Sequence, residues 1–228
     1  MNKFVVFEGL DGAGKSTQIN KLKQYLNEKN IKFNFLHFPR LENGIYGEMV
    51  AKFLRGDYGG LQQVHPELVT LLYAGDRKEA SFEINNWLKE GLVIVDRYVY
   101  SNIAYQCAKL NNDSDKINLT NWINNFEYNF NNIPKPDLSI FLDVPFSFTA
   151  QKLQSERKGD DRNYLKGKDD IHEKDLLFQE KVRKEYLNLI EKDNNFIKID
   201  CNKNDNMLDS SIIFEIIIST LKNYKIIE

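Results

Sequence analysis

The 228-residue sequence contains only two cysteines and no long hydrophobic run. Cys107 and Cys201 are far apart and lack CxxC spacing, so neither a disulfide framework nor a zinc site is indicated. The apolar run Phe4-Phe7 is too short for a signal peptide, and the run 212–218 is interrupted by Glu215 and too short to cross a bilayer. These absences predict a cytoplasmic protein without membrane partners.

An excess of positive charge is also missing. The 31 Lys and Arg residues are balanced by 33 Asp and Glu residues, which gives a net charge of −2. Affinity for a nucleic-acid backbone comes from clustered Lys and Arg, so we expect no nucleic-acid partner. The length suits one domain over 1–228, because a chain of this size can bury its own core.

Short apolar runs alternate with helix-like stretches along the chain. The runs are Phe4-Phe7, Phe33-Phe38, Leu92-Val95, Leu138-Leu142 and Phe196-Ile199. This alternation predicts an α/β fold with a doubly wound, five-stranded parallel sheet flanked by helices.

Helical spacing of apolar residues predicts the covering helices. The predicted helices are 16–30, 66–90 ended by Gly91, a helix within 111–132, and a closing helix with a packed stripe of Ile212, Ile213, Ile216 and Ile217.

The first strand leads directly into the loop Gly9-Leu-Asp-Gly-Ala-Gly-Lys-Ser-Thr17, which fits the phosphate-loop pattern between a strand and a helix. Glycines let backbone N–H groups turn toward phosphate oxygens, and the following helix directs its positive end at the same anion. Lys15 adds charge at the β- and γ-phosphates, and Ser16 can bind Mg²⁺. The residues expected to bind the nucleotide are Gly9, Leu10, Asp11, Gly12, Ala13, Gly14, Lys15, Ser16 and Thr17.

Charged side chains follow two other predicted strands. Asp96 and Arg97 end the third strand, and Phe38-Pro39-Arg40 end the second. Because ligands of open α/β sheets bind at the carboxyl ends of the strands, these residues predict an anion site and an Mg²⁺-orienting carboxylate. Tyr73 and Arg77 lie one turn apart on a predicted helix, which suits stacking on a base and recognition of its edge.

The segment from Ser155 to Lys168 reads SERKGDDRNYLKGK and is basic and poor in apolar residues. Its cations are Arg157, Lys158, Arg162, Lys166 and Lys168. We expect a small mobile lid at about 155–170 that closes over phosphates and supplies positive charge.

Three kinds of protein share such a phosphate loop. A GTPase-like switch is suggested by Asn202-Lys-Asn-Asp205, but its DxxG candidate, Asp57-Tyr-Gly-Gly60, follows a helix-like stretch instead of an early strand. A non-catalytic nucleotide-binding module is the second alternative. A kinase for a small phosphate acceptor predicts a second anion site, a basic lid and an acidic Mg²⁺ partner, and the sequence offers candidates for all three.

The order and spacing of several motifs resemble the thymidylate kinase family. The motifs are FEGLDGAGKST, HFPR, YAGDR, DRYVYSNIAY, IPKPDLSIFLDV and HEKDLLFQEKVRKEYL, which together span most of positions 3 to 200. The resemblance implies a P-loop nucleoside-monophosphate-kinase fold, transfer of a phosphoryl group from Mg·ATP to dTMP, and a homodimer. Another nucleoside monophosphate kinase is the alternative, although the lid and base motifs look different from those of adenylate kinase.

The resemblance also implies roles for individual residues. Lys15, Asp11, Arg97, Arg157 and Arg162 would be catalytic; Ser16, Asp96 and Asp11 would hold Mg²⁺; and Asp11, Phe38, Pro39, Arg40, Tyr73, Arg77, Arg97, Ser101, Asn102 and Tyr105 would bind dTMP. Within that set, Arg40 and Arg97 would hold the dTMP phosphate and Tyr105 would crowd the 2′ position of the sugar. Some family members carry an Arg inside the phosphate loop, where this chain has Gly12-Ala13, so Arg157 or Arg162 of the lid is the expected catalytic cation.

Overall fold

The computed structural model describes residues 2–154, 160–173, 175–204 and 206–228, without the side chains of 153–154 and 160–162. The strands are β1 (Phe4–Glu8), β2 (Phe33–His37), β3 (Leu92–Asp96), β4 (Leu138–Asp143), β5 (Phe196–Asp200), β6 (Asn202–Lys203) and β7 (Asn206–Met207). The α-helices are α1 (Lys15–Glu28), α2 (Gly44–Leu54), α3 (Pro66–Trp87), α4 (Val99–Cys107), α5 (Asp113–Asn124), α6 (Phe146–Gln154), α7 (Leu176–Ile190) and α8 (Ser210–Asn223).

A π-helical segment, Asn125–Phe130, continues α5, and a 3₁₀ segment, Asp160–Leu165, lies within the predicted lid. In the described part of the chain, no helix has both the length and the apolar character needed to cross a bilayer.

The central sheet has five parallel strands in the order β2-β3-β1-β4-β5. Strands β1, β3 and β4 are buried throughout, which explains why they read as continuous apolar runs. Separate apolar cores lie on the two faces: one contains Phe4 and Val6 of β1, and the other contains Val5 and Phe7. The prediction of a doubly wound five-stranded sheet is therefore confirmed, and the carboxyl ends of β1, β2 and β3 meet at one edge.

Two predicted helix details are wrong. Helix α3 ends at Trp87 and not at residue 90, so Gly91 does not terminate the helix. A Cβ at Gly91 would lie 2.6 Å from the carbonyl oxygen of Lys32, so glycine is required where two chain segments approach closely. In α8, Ile213, Ile217 and Leu221 are buried while Ile212 and Ile216 are 47% and 36% exposed. The helix buries a single stripe with a spacing of four residues and turns the other two isoleucines outward.

Candidate active site

The phosphate loop connects β1 to α1 with the geometry that its glycines predict. Gly12 and Gly14 both have φ of 80°, in the left-handed region that side chains with a Cβ seldom adopt. Lys15 begins α1 and folds back over the loop, where Nζ donates to the carbonyl oxygens of Leu10 at 3.1 Å and Gly9 at 3.3 Å. The Lys15 ammonium is therefore held over the loop by the loop's own backbone.

Arg97 lies directly beside this loop. The register pairs Phe7 of β1 with Asp96 of β3, so the two strands end at the same edge. Arg97 has φ of 66°, an unusual value for a residue with a side chain and a kind of strain found at functional sites. Its Nη2 donates to Asp11 Oδ1 at 2.6 Å, and its Nη1 donates to Ser101 Oγ at 3.3 Å.

Asp96 faces the same edge and is almost completely buried. Its Oδ2 lies 3.2 Å from Nδ1 of His37, at the end of β2. Its Oδ1 is buried and has no hydrogen-bond partner among the described residues. A buried carboxylate oxygen left without a partner is a good fit for a cation or its bound water.

Burial and mutual charge set the ionisation of these groups. Burial, followed by the neighbouring charge of Arg97, lowers the pKa of Lys15 to about 8, although Asp96 and Asp11 act in the opposite direction. Burial alone would raise the pKa of Asp11, but the charges of Arg97 and Lys15 outweigh burial and lower it. The pKa of Asp96 is likewise lowered, because Lys15 and His37 outweigh its burial. Both carboxylates are therefore ionised at neutral pH.

One cavity of about 540 Å³ runs along this edge of the sheet. Of the predicted site residues with described side chains, all line the cavity except Gly9, Leu10 and Arg40. Arg157 lies outside the described residues, and so does the side chain of Arg162. The structure thus brings the phosphate loop, the Asp96-Arg97 pair and the base-recognition candidates into a single cavity.

Arg40 lies beside the cavity and is held by acidic groups of α3. Its backbone N and its Nε donate to the two carboxylate oxygens of Asp76 at 2.9 and 2.8 Å, and Nη2 lies 3.3 Å from Glu79 Oε2. A Cβ at Gly47 would lie 2.0 Å from the Arg40 carbonyl oxygen, so glycine is required for α2 to pack here. The phosphate-binding role of Arg40 stays a prediction.

The candidate base-recognition residues line the cavity from two helices. Tyr73 and Arg77 lie on α3, and Asn102 lies on α4. Arg77 is buried in an ion pair with Glu127, whose Oε1 accepts from Nε at 3.0 Å and also from Nη2. Asn102 Nδ2 donates to Thr70 O at 3.4 Å and to Glu127 Oε1 at 3.3 Å. Glu127 therefore orients both candidate base-contacting side chains from the π-helical segment.

Asp11 is the centre of a further hydrogen-bond network. Tyr105 Oη donates to Asp11 Oδ2 at 2.7 Å, and Gln179 Nε2 donates to the same oxygen at 3.2 Å. Gln179 Nε2 also donates to the carbonyl oxygen of His172 at 2.9 Å, which ties α7 to the segment after the lid. His172 lines the cavity beside Tyr105, and burial lowers its pKa to about 3, so it is a neutral wall residue.

Glu8, at the end of β1, accepts hydrogen bonds from residues around Arg97. Oε1 accepts from the Tyr98 backbone N at 2.9 Å, and Oε2 accepts from Tyr186 Oη at 2.9 Å and from Ser101 Oγ. Burial raises the pKa of Glu8 despite these hydrogen bonds. The carboxylate fixes the chain around Arg97 from a position that is 0% exposed.

Sequence reasoning missed the supporting residues of this site. They are Glu8, His37, Gln106, Glu127, Asp170, His172 and Gln179. The position of Glu8 at the end of a buried strand was an available signal, because a buried carboxylate requires partners. Asn202-Lys-Asn204 lies instead in the small hairpin formed by β6 and β7, and Asp205 is outside the described residues.

The chain is similar to known thymidylate kinases over most of its length. The thymidylate kinase family profile matches residues 7–212. A probable thymidylate kinase of Methanococcus maripaludis is 35% identical over 196 residues, covering 85% of this chain and 80% of the relative. Probable thymidylate kinase 1 of Saccharolobus solfataricus is 33% identical, covering 90% and 92%. A solved structure of thymidylate kinase from Candida albicans superposes with a TM-score of 0.68 at 26% identity, covering 97% of this chain and 93% of that one.

These matches cover the phosphate loop, the Asp96-Arg97 strand end and the segment after the lid, and the chain belongs to the thymidylate kinase family.

Proposed function

We propose that this protein transfers the γ-phosphoryl group of ATP to dTMP, giving dTDP and ADP. The observation that carries the proposal is the placement of Lys15 and Arg97 near Asp11 in one cavity. Two cations near one carboxylate provide neighbouring positions for two phosphate groups. Phosphoryl transfer needs positioning and charge neutralisation more than it needs a strong base.

The chain's own residues divide that work. Lys15 and the loop amides bind the phosphates of the donor, and Arg97 binds the phosphate of the acceptor. Asp11 holds Arg97 in place and is itself held by Tyr105. The acceptor sugar therefore packs against side chains whose positions are fixed by hydrogen bonds. Tyr73 stacks on the base, and Arg77 and Asn102 contact its polar edge. Arg40, held by Asp76, completes the acceptor phosphate site.

Mg²⁺ fits the acidic side of the cavity. Asp96, with its unpartnered buried Oδ1, is the strongest candidate to hold the ion or its waters, together with the hydroxyl of Ser16. Asp11 contributes less, because both of its oxygens already accept hydrogen bonds. When bound, the ion neutralises negative charge on the β- and γ-phosphate oxygens.

We further propose that the chain is one kinase domain over 1–228 and that the lid supplies the catalytic cation from Arg157 or Arg162. Two observations support the lid assignment. The phosphate loop has no Arg in its sequence, and Tyr164, at the described end of the lid, lines the cavity.

A homodimer is the proposed assembly. Helix α3 carries two large exposed apolar side chains, Leu68 at 58% and Phe82 at 76% exposure. Exposed apolar residues on one helix suit an isologous helix-to-helix interface. Sedimentation equilibrium of the wild-type protein and of Phe82→Ser tests this assembly, and a wild-type monomer at micromolar concentration would contradict it.

A coupled ADP-release assay tests the proposed reaction. Purified protein is given ATP and Mg²⁺ with dTMP, dUMP, dCMP, dAMP or dGMP as acceptor, and GTP replaces ATP in a parallel series. We expect ADP release that requires an acceptor and is fastest with dTMP. Hydrolysis of GTP without an acceptor would contradict the proposal.

A further inference from the structure

His37 and Asp96 lie side by side where β2 and β3 end. The register pairs the two residues directly, so their side chains project from the same face of the sheet. His37 Nδ1 lies 3.2 Å from Asp96 Oδ2, and both residues line the cavity. Asp96 Oδ1 is buried and has no hydrogen-bond partner among the described residues. The imidazole therefore engages one oxygen of the carboxylate and leaves the other unpaired.

The Asp96 carboxylate also lies within the field of the Lys15 ammonium, which lowers the pKa of the carboxyl. Lys15 Nζ donates to the carbonyl oxygens of Gly9 and Leu10, and in the described part of the chain it is not hydrogen-bonded to Asp96. Rotation of Asp96 toward this ammonium would form an ion pair between them. Such a pair would occupy the oxygen that suits Mg²⁺ and draw Lys15 away from the phosphates. A contact that holds Oδ2 on the β2 side opposes this rotation.

The backbone that carries His37 is fixed on both sides. Phe35, two residues earlier and on the same face of β2, lies under Lys23 of α1, whose Nζ is 3.2 Å from the centre of the ring. Phe35 also packs against the apolar core on that face of the sheet. Immediately after His37, Phe38 N donates to the Asp96 carbonyl oxygen at 2.9 Å. The strand therefore sets the imidazole beside Asp96.

We propose that His37 is a positioning residue: its Nδ1–H holds Asp96 Oδ2 and so keeps Oδ1 available to Mg²⁺ or its bound waters. This inference rests on the proposed function, because Asp96 is proposed there to hold the ion. The neutral Nδ1–H tautomer and the imidazolium both donate from this atom, so the contact does not require a particular charge on His37. Residues that orient a metal-binding group commonly change metal affinity by roughly 10- to 100-fold. The side chain of His37 is 50% exposed, so we expect the lower end of that range.

The test measures nucleotide binding instead of turnover. The dissociation constant of the non-hydrolysable analogue β,γ-imido-ATP is determined by isothermal titration calorimetry, once with excess Mg²⁺ and once with EDTA. The ratio of the two constants is the magnesium gain, the factor by which the ion tightens binding. A residue that orients Asp96 should change this ratio, whereas a residue that supports only the fold should not.

Two substitutions at His37 distinguish the hydrogen-bond donor from the ring. His37→Phe keeps a ring of similar size without Nδ1–H, and the magnesium gain should fall about tenfold. Affinity measured in EDTA should stay within about twofold of wild type, because Lys15 and the loop amides bind the phosphates. His37→Asn places an amide N–H near the position of Nδ1 and should keep the gain within about threefold of the wild-type value.

A double-variant cycle tests whether His37 acts through Asp96. Asp96→Asn should lose most of the magnesium gain, and adding His37→Phe should then change it less than about twofold. His65→Phe is the matched control, since the side chain of His65 is 66% exposed and is not part of the cavity wall. It should keep the wild-type gain even if loss of the bond from Glu67 N to His65 Nδ1 lowers the melting temperature.

Three results would overturn the inference. The first is a His37→Phe protein with the wild-type magnesium gain. The second is an equal loss of gain in His37→Asn and His37→Phe, because the donor would then not matter. The third is full additivity in the double variant, because His37 would then act without Asp96. A wild-type protein that shows the magnesium gain but fails to phosphorylate dTMP would instead overturn the proposed function, so the failures are distinguishable.

Discussion

Arg97 Nη2 lies 2.6 Å from Asp11 Oδ1, and this ion pair joins the end of β3 to the phosphate loop after β1. Both side chains are largely buried, so water screens the pair weakly. The acceptor-binding cation is thereby held against the donor-binding loop.

Lys15→Ala should reduce kcat by a factor of roughly 10² or more, because it removes charge stabilisation at the transferred group. The fold should persist, since within the described part of the chain the Lys15 ammonium hydrogen-bonds only two carbonyl oxygens of the loop. Steady-state kinetics and thermal unfolding measure the two effects. Lys21→Ala, on the same helix but bound to Ser210 and Ser211, is the control and should keep normal turnover. Normal dTMP phosphorylation by Lys15→Ala would refute the loop assignment.

Two substitutions at Tyr105 distinguish the effect of its hydroxyl group from the effect of its ring. Tyr105→Phe removes the hydrogen bond to Asp11 and should lower kcat roughly tenfold by loosening Asp11, while selection against ribonucleotides is kept. Tyr105→Ala also removes the ring and should raise the kcat/KM of ribothymidine monophosphate relative to dTMP. The measurement is the ratio of the two kcat/KM values, and an unchanged ratio in Tyr105→Ala would show that the sugar is selected elsewhere.

Arg77 should have separable structural and substrate-binding effects. Arg77→Met leaves Glu127 buried without its cation and should destabilise the fold by ~3 kcal/mol. Adding Glu127→Leu should recover most of that loss, because two apolar side chains then replace the ion pair. The double variant should still have an elevated KM for dTMP. Denaturant unfolding and kinetics together test this, and a normal KM in the double variant would remove Arg77 from base recognition.

Arg55 should hold the end of the lid in place. Its Nη1 donates to the Tyr164 carbonyl oxygen at 2.7 Å, next to a backbone bond from Ile171 N to Leu54 O at 3.0 Å. Arg55→Met should lower kcat/KM for dTMP roughly tenfold and speed amide hydrogen exchange of 164–171. Lys168→Ala breaks only an exposed pair with Asp57 and should change kcat/KM less than about twofold. Equal effects of the two variants would contradict this role.

Asp170 should make stability depend on pH. Burial raises its pKa from an ordinary 3.8 to about 7, despite a hydrogen bond from Tyr164 Oη. The native state thus binds the proton more tightly than the unfolded state, so this residue lowers stability as pH rises from about 4 to about 7. Asp170→Asn should be more stable than wild type above pH 7 and lose that advantage near pH 4. Denaturant unfolding across this range tests it, and a difference that is independent of pH would contradict the shift.

The sequence predicts features that depend on local patterns. The five parallel strands and the glycine turn between β1 and α1 follow from apolar runs and glycine spacing, and they are confirmed. Contacts between distant segments were not predictable in this way. Arg77 meets Glu127 fifty residues later, and no periodicity marks that pair. The family resemblance indicated which residues share the cavity, but it did not indicate Glu8 and Glu127, the buried carboxylates that hold them in place.

The roles of the lid arginines, of Arg40 and of the predicted Mg²⁺ residues stay predictions. Each depends on a bound group or a side-chain position that the sequence pattern does not fix. Arg40 illustrates the reason: its position after β2 places it at the correct edge, yet Asp76 and Glu79 determine where its guanidinium points.

The carboxylate of Glu8 has a consequence for mutagenesis. It binds Tyr98 and Tyr186, which lie 90 and 178 positions later in the chain, next to the residues that line the cavity. A survey of random variants would therefore record Tyr186 as essential, although among the described residues its hydroxyl bonds only Glu8 and Ser101. Revertants of a damaged Tyr186 should accordingly map to the first strand or to α4, far away in the gene and adjacent in space.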